Sequence, residues 1–191
     1  MSDIKNILSI DIDYAYSPTI SEYDDFIQGS SITPEKQMEE LKKLNLPLPL
    51  INLEKFNLLK RVVSTFILPT AKIIVKPDHH QILDFLPEDR LSIYNIDHHH
   101  DIFYPGWHDR EVLDEGNWVS HVPNLSSYSW FRNPDSENLD SSVDLNFDYA
   151  ELYLKDDIKF PKFDFLFCCF SPHWTGPDGK GYARELLEVL K

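Results

Sequence analysis

Residues Lys5 to Ile12 form an apolar run closed by acidic side chains, which predicts a buried parallel strand with its carboxyl end at Asp11. Two helices are expected next. The first opens at Thr33-Pro34-Glu35, an N-cap followed by proline at the first helical position and an acid in the first turn, and runs to about Leu44. The second covers about Asn52 to Phe66, where Leu53, Phe56, Leu59, Val62, Val63 and Phe66 make one apolar stripe. Ala71 to Val75 predicts a second buried strand, Gln81 to Phe85 a short helix and Arg90 to Ile96 a third strand. Phe163 to Phe170 predicts another buried strand, Ser171 to Gly181 a loop, and Tyr182 to Leu190 a terminal helix. This order of elements implies an α/β fold with a largely parallel sheet. The stretch from Asp101 to Asp144, rich in Pro, Gly, Asn, Ser, Trp and Tyr, is too long for an ordinary connection and predicts functional loops.

Composition narrows the class. A chain of 191 residues with 42% hydrophobic and 13% aromatic content suits one folded domain spanning 1–191. No apolar run approaches the roughly 20 residues that cross a bilayer, so no membrane partner is expected. Met1 to Asn6 lacks the charged, apolar, small-residue order of a signal peptide, and the adjacent Cys168 and Cys169 exclude a disulfide framework, so a cytoplasmic location is expected. The net charge of -14, from 32 acidic and 18 basic residues, disfavours nucleic acid and would attract a cationic partner, although on charge alone an acidic soluble surface is the commoner explanation.

The chemistry concentrates where strands end. Three strand-like runs close in metal-capable clusters: Asp11-Ile12-Asp13, Asp78-His79-His80, and Asp97-His98-His99-His100-Asp101. Ligands of an open α/β sheet bind beyond the carboxyl ends of its strands, so the clusters are expected to converge on one crevice. Alternate residues of an extended segment share a side, which points Asp11 with Asp13, and Asp97 with His99 and Asp101. One histidine from the second cluster, His79 or else His80, completes six ligands. Four carboxylates and two imidazoles, without a usable cysteine, favour manganese over a soft thiolate metal. Carboxylates so gathered repel one another unless cations compensate them, and two ions about 3.5 to 4 Å apart, bridged by an Asp and a water, would do so while acidifying that water into a nucleophile. Taken singly, Asp-x-Asp after a strand is more often a turn or cap, and a histidine run is sometimes surface polarity. Their coincidence at three strand ends is the signal.

These residues resemble the metal motifs of the arginase, agmatinase and ureohydrolase superfamily: a His after a strand, Asp-x-His-x-Asp, and Ser-Phe-Asp-x-Asp. Here they read Asp78-His79, Asp97-His98-His99-His100-Asp101 and Ser9-Ile10-Asp11-Ile12-Asp13. The last motif opens this chain instead of closing the set, so the resemblance implies a permuted and shortened relative. It implies a three-layer arginase-like fold, with a mostly parallel central sheet and helices on both faces. With Asn95-Ile96-Asp97-His98-His99 and Gly116-Asn117-Trp118, the chain is most similar to the compact peptide arginases of ribosomal peptide natural-product pathways, which convert arginine side chains of a precursor peptide to ornithine and urea.

The resemblance implies two Mn2+ ions, with other divalent transition metals as alternatives. Asp11 and Asp97 would bridge, His79 and Asp101 would serve one ion, and Asp13 and His99 the other. Asp101 would also hold a bridging hydroxide that attacks the guanidinium carbon. His121 would be the general acid, Asn117 a substrate contact, and Glu22 and His173 further candidate contacts. The acid that holds the guanidinium in arginases has no counterpart after Cys168-Cys169-Phe170, which leaves Glu22, Asp24 and Asp25 as loose candidates. The implied partner is a basic or arginine-containing precursor peptide.

Alternatives stay open. A free guanidino compound or an acylated amine could replace the peptide. A phosphoesterase of the Asp-His-His type shares Asp97-His98-His99, but its opening motif carries a His that residues 1–10 lack. A degenerate relative could bind metal or basic peptide without turnover.

Overall fold

The computed structural model describes residues 4–17, 33–104, 111–136, 139, 143–155 and 157–191. Its strands in chain order are β1 (Ile4–Asp11), β2 (Tyr16–Ser17), β3 (Leu50–Ile51), β4 (Ile67–Lys76), β5 (Arg90–Asp97), β6 (Leu125–Arg132), β7 (Asp148–Tyr153) and β8 (Phe163–Cys169). The helices are α1 (Pro34–Lys43), α2 (Leu53–Phe66), α3 (Pro172–Thr175) and α4 (Gly179–Leu187). Six strands make one sheet in the order β4-β8-β1-β5-β6-β7, and every pairing within it is parallel. The remaining two, β2 and β3, pair antiparallel as a small separate ribbon.

Sequence dictates the sheet's layering through side-chain alternation. Leu8 and Ile10 of β1 face a core shared with Phe56, Leu59 and Val63 of α2 and Ala183 and Leu186 of α4. Ile7 faces the opposite core, with Phe165 and Phe167 of β8 and Trp118, Tyr128 and Trp130. The second face is covered by short 3-10 turns, His79–Asp84 and Trp118–His121, where helices on both faces were expected. The arrangement is a three-layer α/β fold.

Local signals place the helices. Thr33 caps α1 with Pro34 at its first position. The Asn52 side chain caps α2 by accepting from the backbone N–H groups of Glu54 and Lys55 at 3.0 and 3.1 Å. Asn52→Ala is expected to cost about 1 kcal/mol of stability, read as a shifted urea midpoint with an unchanged slope.

Three expectations need correction. The segment from Asp101 to Asp144, expected to be loop, contains β6. The predicted loop from Ser171 to Gly181 contains α3 and the start of α4. The short helix near Gln81 is a 3-10 turn that begins at His79.

Chain direction sets where a ligand can sit. From β1 the chain leaves toward β4 on one side, and from β5 it leaves toward β6 on the other. The carboxyl ends of β1 and β5 therefore flank a topological switch point, where open α/β sheets form their binding crevice. No helix among the described residues is long and apolar enough to cross a membrane.

Candidate metal centre

Asp11, Asp13, His79, Asp97, His99 and Asp101 converge at that switch point. Asp11 and Asp97 end the neighbouring strands β1 and β5, and His79 reaches in from the turn after β4. The convergence does not come from extended alternation. Chain curvature after each strand produces it: Ile12–Ala15 is a 3-10 turn capped by the Asp11 side chain, which accepts from the Asp13 N–H at 3.1 Å. After β5 the chain bends, and Asp101 takes a left-handed conformation with φ of 52°, which aspartate tolerates better than most residues.

His79 occupies the centre. Its Nδ1 lies 2.9 Å from Asp97 Oδ2, 3.1 Å from Asp101 Oδ2 and 3.5 Å from Asp11 Oδ2. One nitrogen cannot donate to three carboxylates, and Nδ1 makes no aligned hydrogen bond among the described residues. The other ring nitrogen, Nε2, is 2.7 Å from Ser9 Oγ. The ring is fixed between Trp118, at 4.7 Å, and Phe167, stacked at 5.8 Å. A histidine held by one nitrogen, with the other aimed at carboxylate oxygens, is poised as a metal ligand. His80 is only half-buried, so the structure assigns the inward position to His79.

Asp97 is the shared member of two groups that could each hold an ion: His79, Asp97 and Asp101, and Asp13, Asp97 and His99. Its Oδ1 accepts from the His99 backbone N–H at 3.0 Å and its Oδ2 from Asn95 Nδ2 at 3.0 Å. His99 Nδ1 is 3.1 Å from Asp13 Oδ2, and Asp13 Oδ1 accepts from the His98 N–H. Trp118 Nε1 donates to Asp101 Oδ2 at 2.7 Å, and Ser171 Oγ donates to Asp11 Oδ2.

The electrostatics are those of a cluster that could hold a cation. Four buried carboxylates face two imidazoles, and among the described residues His79 and His99 are their only ion-pair partners. Burial and the charge of Asp101 push Asp97 up to about 7. Burial followed by the charges of Asp11 and Asp97 raises Asp13 well above the usual carboxylate range. Burial also raises Asp101, against the opposing effect of the adjacent His79 imidazole. For Asp11 burial is outweighed by His79 and Ser171, which hold it below its ordinary value. Burial works against a charged His99, yet the Asp13 carboxylate raises it to about 10, and three carboxylates likewise raise His79. The donor set fits hard divalent ions.

Several supporting residues were given no role from sequence, although three of them stand in the quoted motifs: Ser9 behind His79, Asn95 behind Asp97, Trp118 on Asp101 and, outside those motifs, Ser171 on Asp11. Ser9→Ala is expected to weaken metal binding about 10- to 100-fold, measured by calorimetry, with the fold intact. Two short spacings hinted at these roles, since Ser9 and Asn95 each precede a ligand Asp by two positions on the same strand face.

The other expected site residues are placed differently. Asn117 is wholly buried; its Oδ1 accepts from the Asp114 N–H and its Nδ2 donates to Val112 O, so this amide locks its own loop. His121 ends the 3-10 turn after Trp118, half-buried, with Nε2 unpartnered among the described residues. His173 Nδ1 lies 2.9 Å from Gln37 Oε1, and the neighbouring Trp174 ring is 4.5 Å from that of His99. Glu22, Asp24 and Asp25 lie outside the described residues. Cys169, discounted as a ligand from sequence, lies within 4.8 Å of Asp11 and His79 ligand atoms. Comparison with protein-family models, curated proteins and solved structures returns no match.

Proposed function

We propose that this chain is a binuclear metal-dependent hydrolase of C–N bonds that converts arginine side chains of a basic peptide to ornithine and urea. The observation that carries the reading is Asp97, wholly buried and common to two Asp/His groups. Each of its oxygens already accepts one N–H, which leaves each a lone pair for an ion on its own side. His79 and Asp101 would hold one ion, Asp13 and His99 the other, with Asp11 and Asp97 between them. Two divalent cations so bound supply an acidified water as nucleophile and positive charge for the developing oxyanion.

The chain's own residues set the rest. Asp101, raised by burial and oriented by the Trp118 indole, is the proton acceptor beside the nucleophile. His121 is the proposed proton donor to the departing amine, with its unpartnered Nε2 as the donor atom. The His99 side chain is the most exposed of those joined in the cluster, at 20%, so substrate approaches past it and past the flanking rings of Trp174 and Tyr104. Aromatic faces suit a planar guanidinium, and a net charge of -14 attracts a cationic peptide. The choice of arginine as substrate draws on the motif resemblance.

The test is mass spectrometry of an arginine-containing peptide incubated with manganese-loaded protein and with Asp97→Ala. A loss of about 42 Da per arginine, metal-dependent and absent in the variant, is the expected result. Stoichiometric metal without that mass change would overturn the substrate and keep the centre.

A further inference from the structure

Cys169 adds a soft donor to one edge of the centre. Strand β8 runs parallel to β1 with Cys169 directly opposite Asp11, so the two side chains leave the sheet on the same face. That face carries the core of Ile7, Phe167 and Trp118, whereas Cys168 belongs to the core on the other side. The Cys169 thiol is fully buried, 3.1 Å from Pro77 O and 3.2 Å from Ser171 Oγ. Ser171, held at a left-handed φ of 33°, also bonds Asp11 and so ties the cysteine to the carboxylate. The ligand atoms of Cys169, Asp11 and His79 all lie within 4.8 Å of one another. Independently, the 2%-exposed His79 keeps an Nδ1 that makes no aligned hydrogen bond and is aimed into this cluster, 3.5 Å from Asp11 Oδ2.

One sulfur, one imidazole nitrogen and one carboxylate form a mixed donor set. Zinc, cadmium and cobalt accept such a set, whereas manganese prefers oxygen and nitrogen alone. We propose that Asp11, His79 and Cys169 form an alternative position for a single thiophilic divalent cation, which excludes the hard ion of the neighbouring His79-Asp97-Asp101 position. Exclusion follows because Nδ1 has one lone pair and can serve one ion at a time. Binding forms metal–sulfur and metal–nitrogen bonds as the thiol proton, and any proton carried by His79 Nδ1, leave to solvent. The inference rests on reading the Asp/His cluster as a metal centre. Its consequence is regulatory: manganese would sustain the centre, and zinc or cadmium would displace one ion from it.

Cobalt titration of the full-length protein, followed by absorption, tests the position. A thiolate-to-cobalt charge-transfer band is expected in the wild type and in Cys168→Ser, and none in Cys169→Ser. The chain has only these two cysteines, so persistence of the band in Cys168→Ser assigns it to Cys169 even if the Cys169 variant misfolds. Where Cys169→Ser folds, cadmium should displace manganese at least about tenfold less effectively than in the wild type. Stoichiometric cobalt without a thiolate band overturns the cysteine position and leaves the Asp/His centre standing. Failure of both cobalt and manganese to bind overturns the centre and this position together.

Discussion

Asp97→Ala is expected to weaken divalent-metal binding by about two orders of magnitude or more and to leave no measurable hydrolysis. The size of the effect follows from position. Asp97 belongs to both candidate ion groups, so its removal takes a ligand from each. The same carboxylate receives the Asn95 amide and the His99 N–H, so the variant also loosens the turn that carries His99 and Asp101. Asp97→Asn keeps the shape and removes the charge. It should lose metal nearly as severely while its metal-free form becomes more stable, because a buried carboxylate pushed up to about 7 is a destabilising group at neutral pH and above. Isothermal titration with manganese, with thermal melts of each metal-free variant, reads both effects.

The metal-free wild type is expected to lose stability as pH rises from about 6.5 to about 10. The sign follows from proton uptake on folding. Asp97 has an ordinary value of 3.8 and a folded value of about 7, so its contribution is full below 3.8 and lost as pH rises through 7. His99 has an ordinary value of 6.5 and a folded value of about 10, so its contribution is full below 6.5 and lost as pH rises through 10. Asp13 is raised in the same sense. Asp11 is lowered and acts oppositely below its ordinary 3.8, and His98 and His100, lowered by burial, act oppositely below their ordinary 6.5. The sum is a few kcal/mol, which for a chain of this size lowers the melting temperature on the order of 10 °C. Manganese should restore more stability the higher the pH, because it replaces the departing protons. A metal-free melting temperature that rises between about pH 6.5 and about 9 would contradict this electrostatic account.

Much of the architecture was readable in the chain. Four of the six sheet strands announce themselves as apolar runs, because both faces of a parallel sheet are buried. Strand β6 escaped notice because its sequence, Leu125-Ser126-Ser127-Tyr128-Ser129-Trp130-Phe131-Arg132, interleaves serines with aromatics. Of those serines, Ser127 bonds across the sheet to Ser92 at 2.7 Å, a pairing that no local pattern reveals. Strand β7 lies at the sheet edge, largely exposed, and so lacks an apolar run. At the centre, residue types at strand ends were enough to identify the clustered carboxylates and imidazoles. The curvature that unites them was not, because 3-10 turns and left-handed residues at Asp101 and Ser171 depend on tertiary bonds from Trp118 and to Asp11. Cys169 was hidden for the same reason: only the pairing of β8 with β1 shows that it stands beside Asp11.

The most direct test of the central claim is manganese stoichiometry, determined by metal analysis and electron paramagnetic resonance on protein purified without chelator and then supplied with Mn2+. The account predicts two ions per chain with a spin-coupled signal, from the two groups that share Asp97. Absence of stoichiometric manganese, or a single isolated ion that survives in Asp97→Ala, would contradict it.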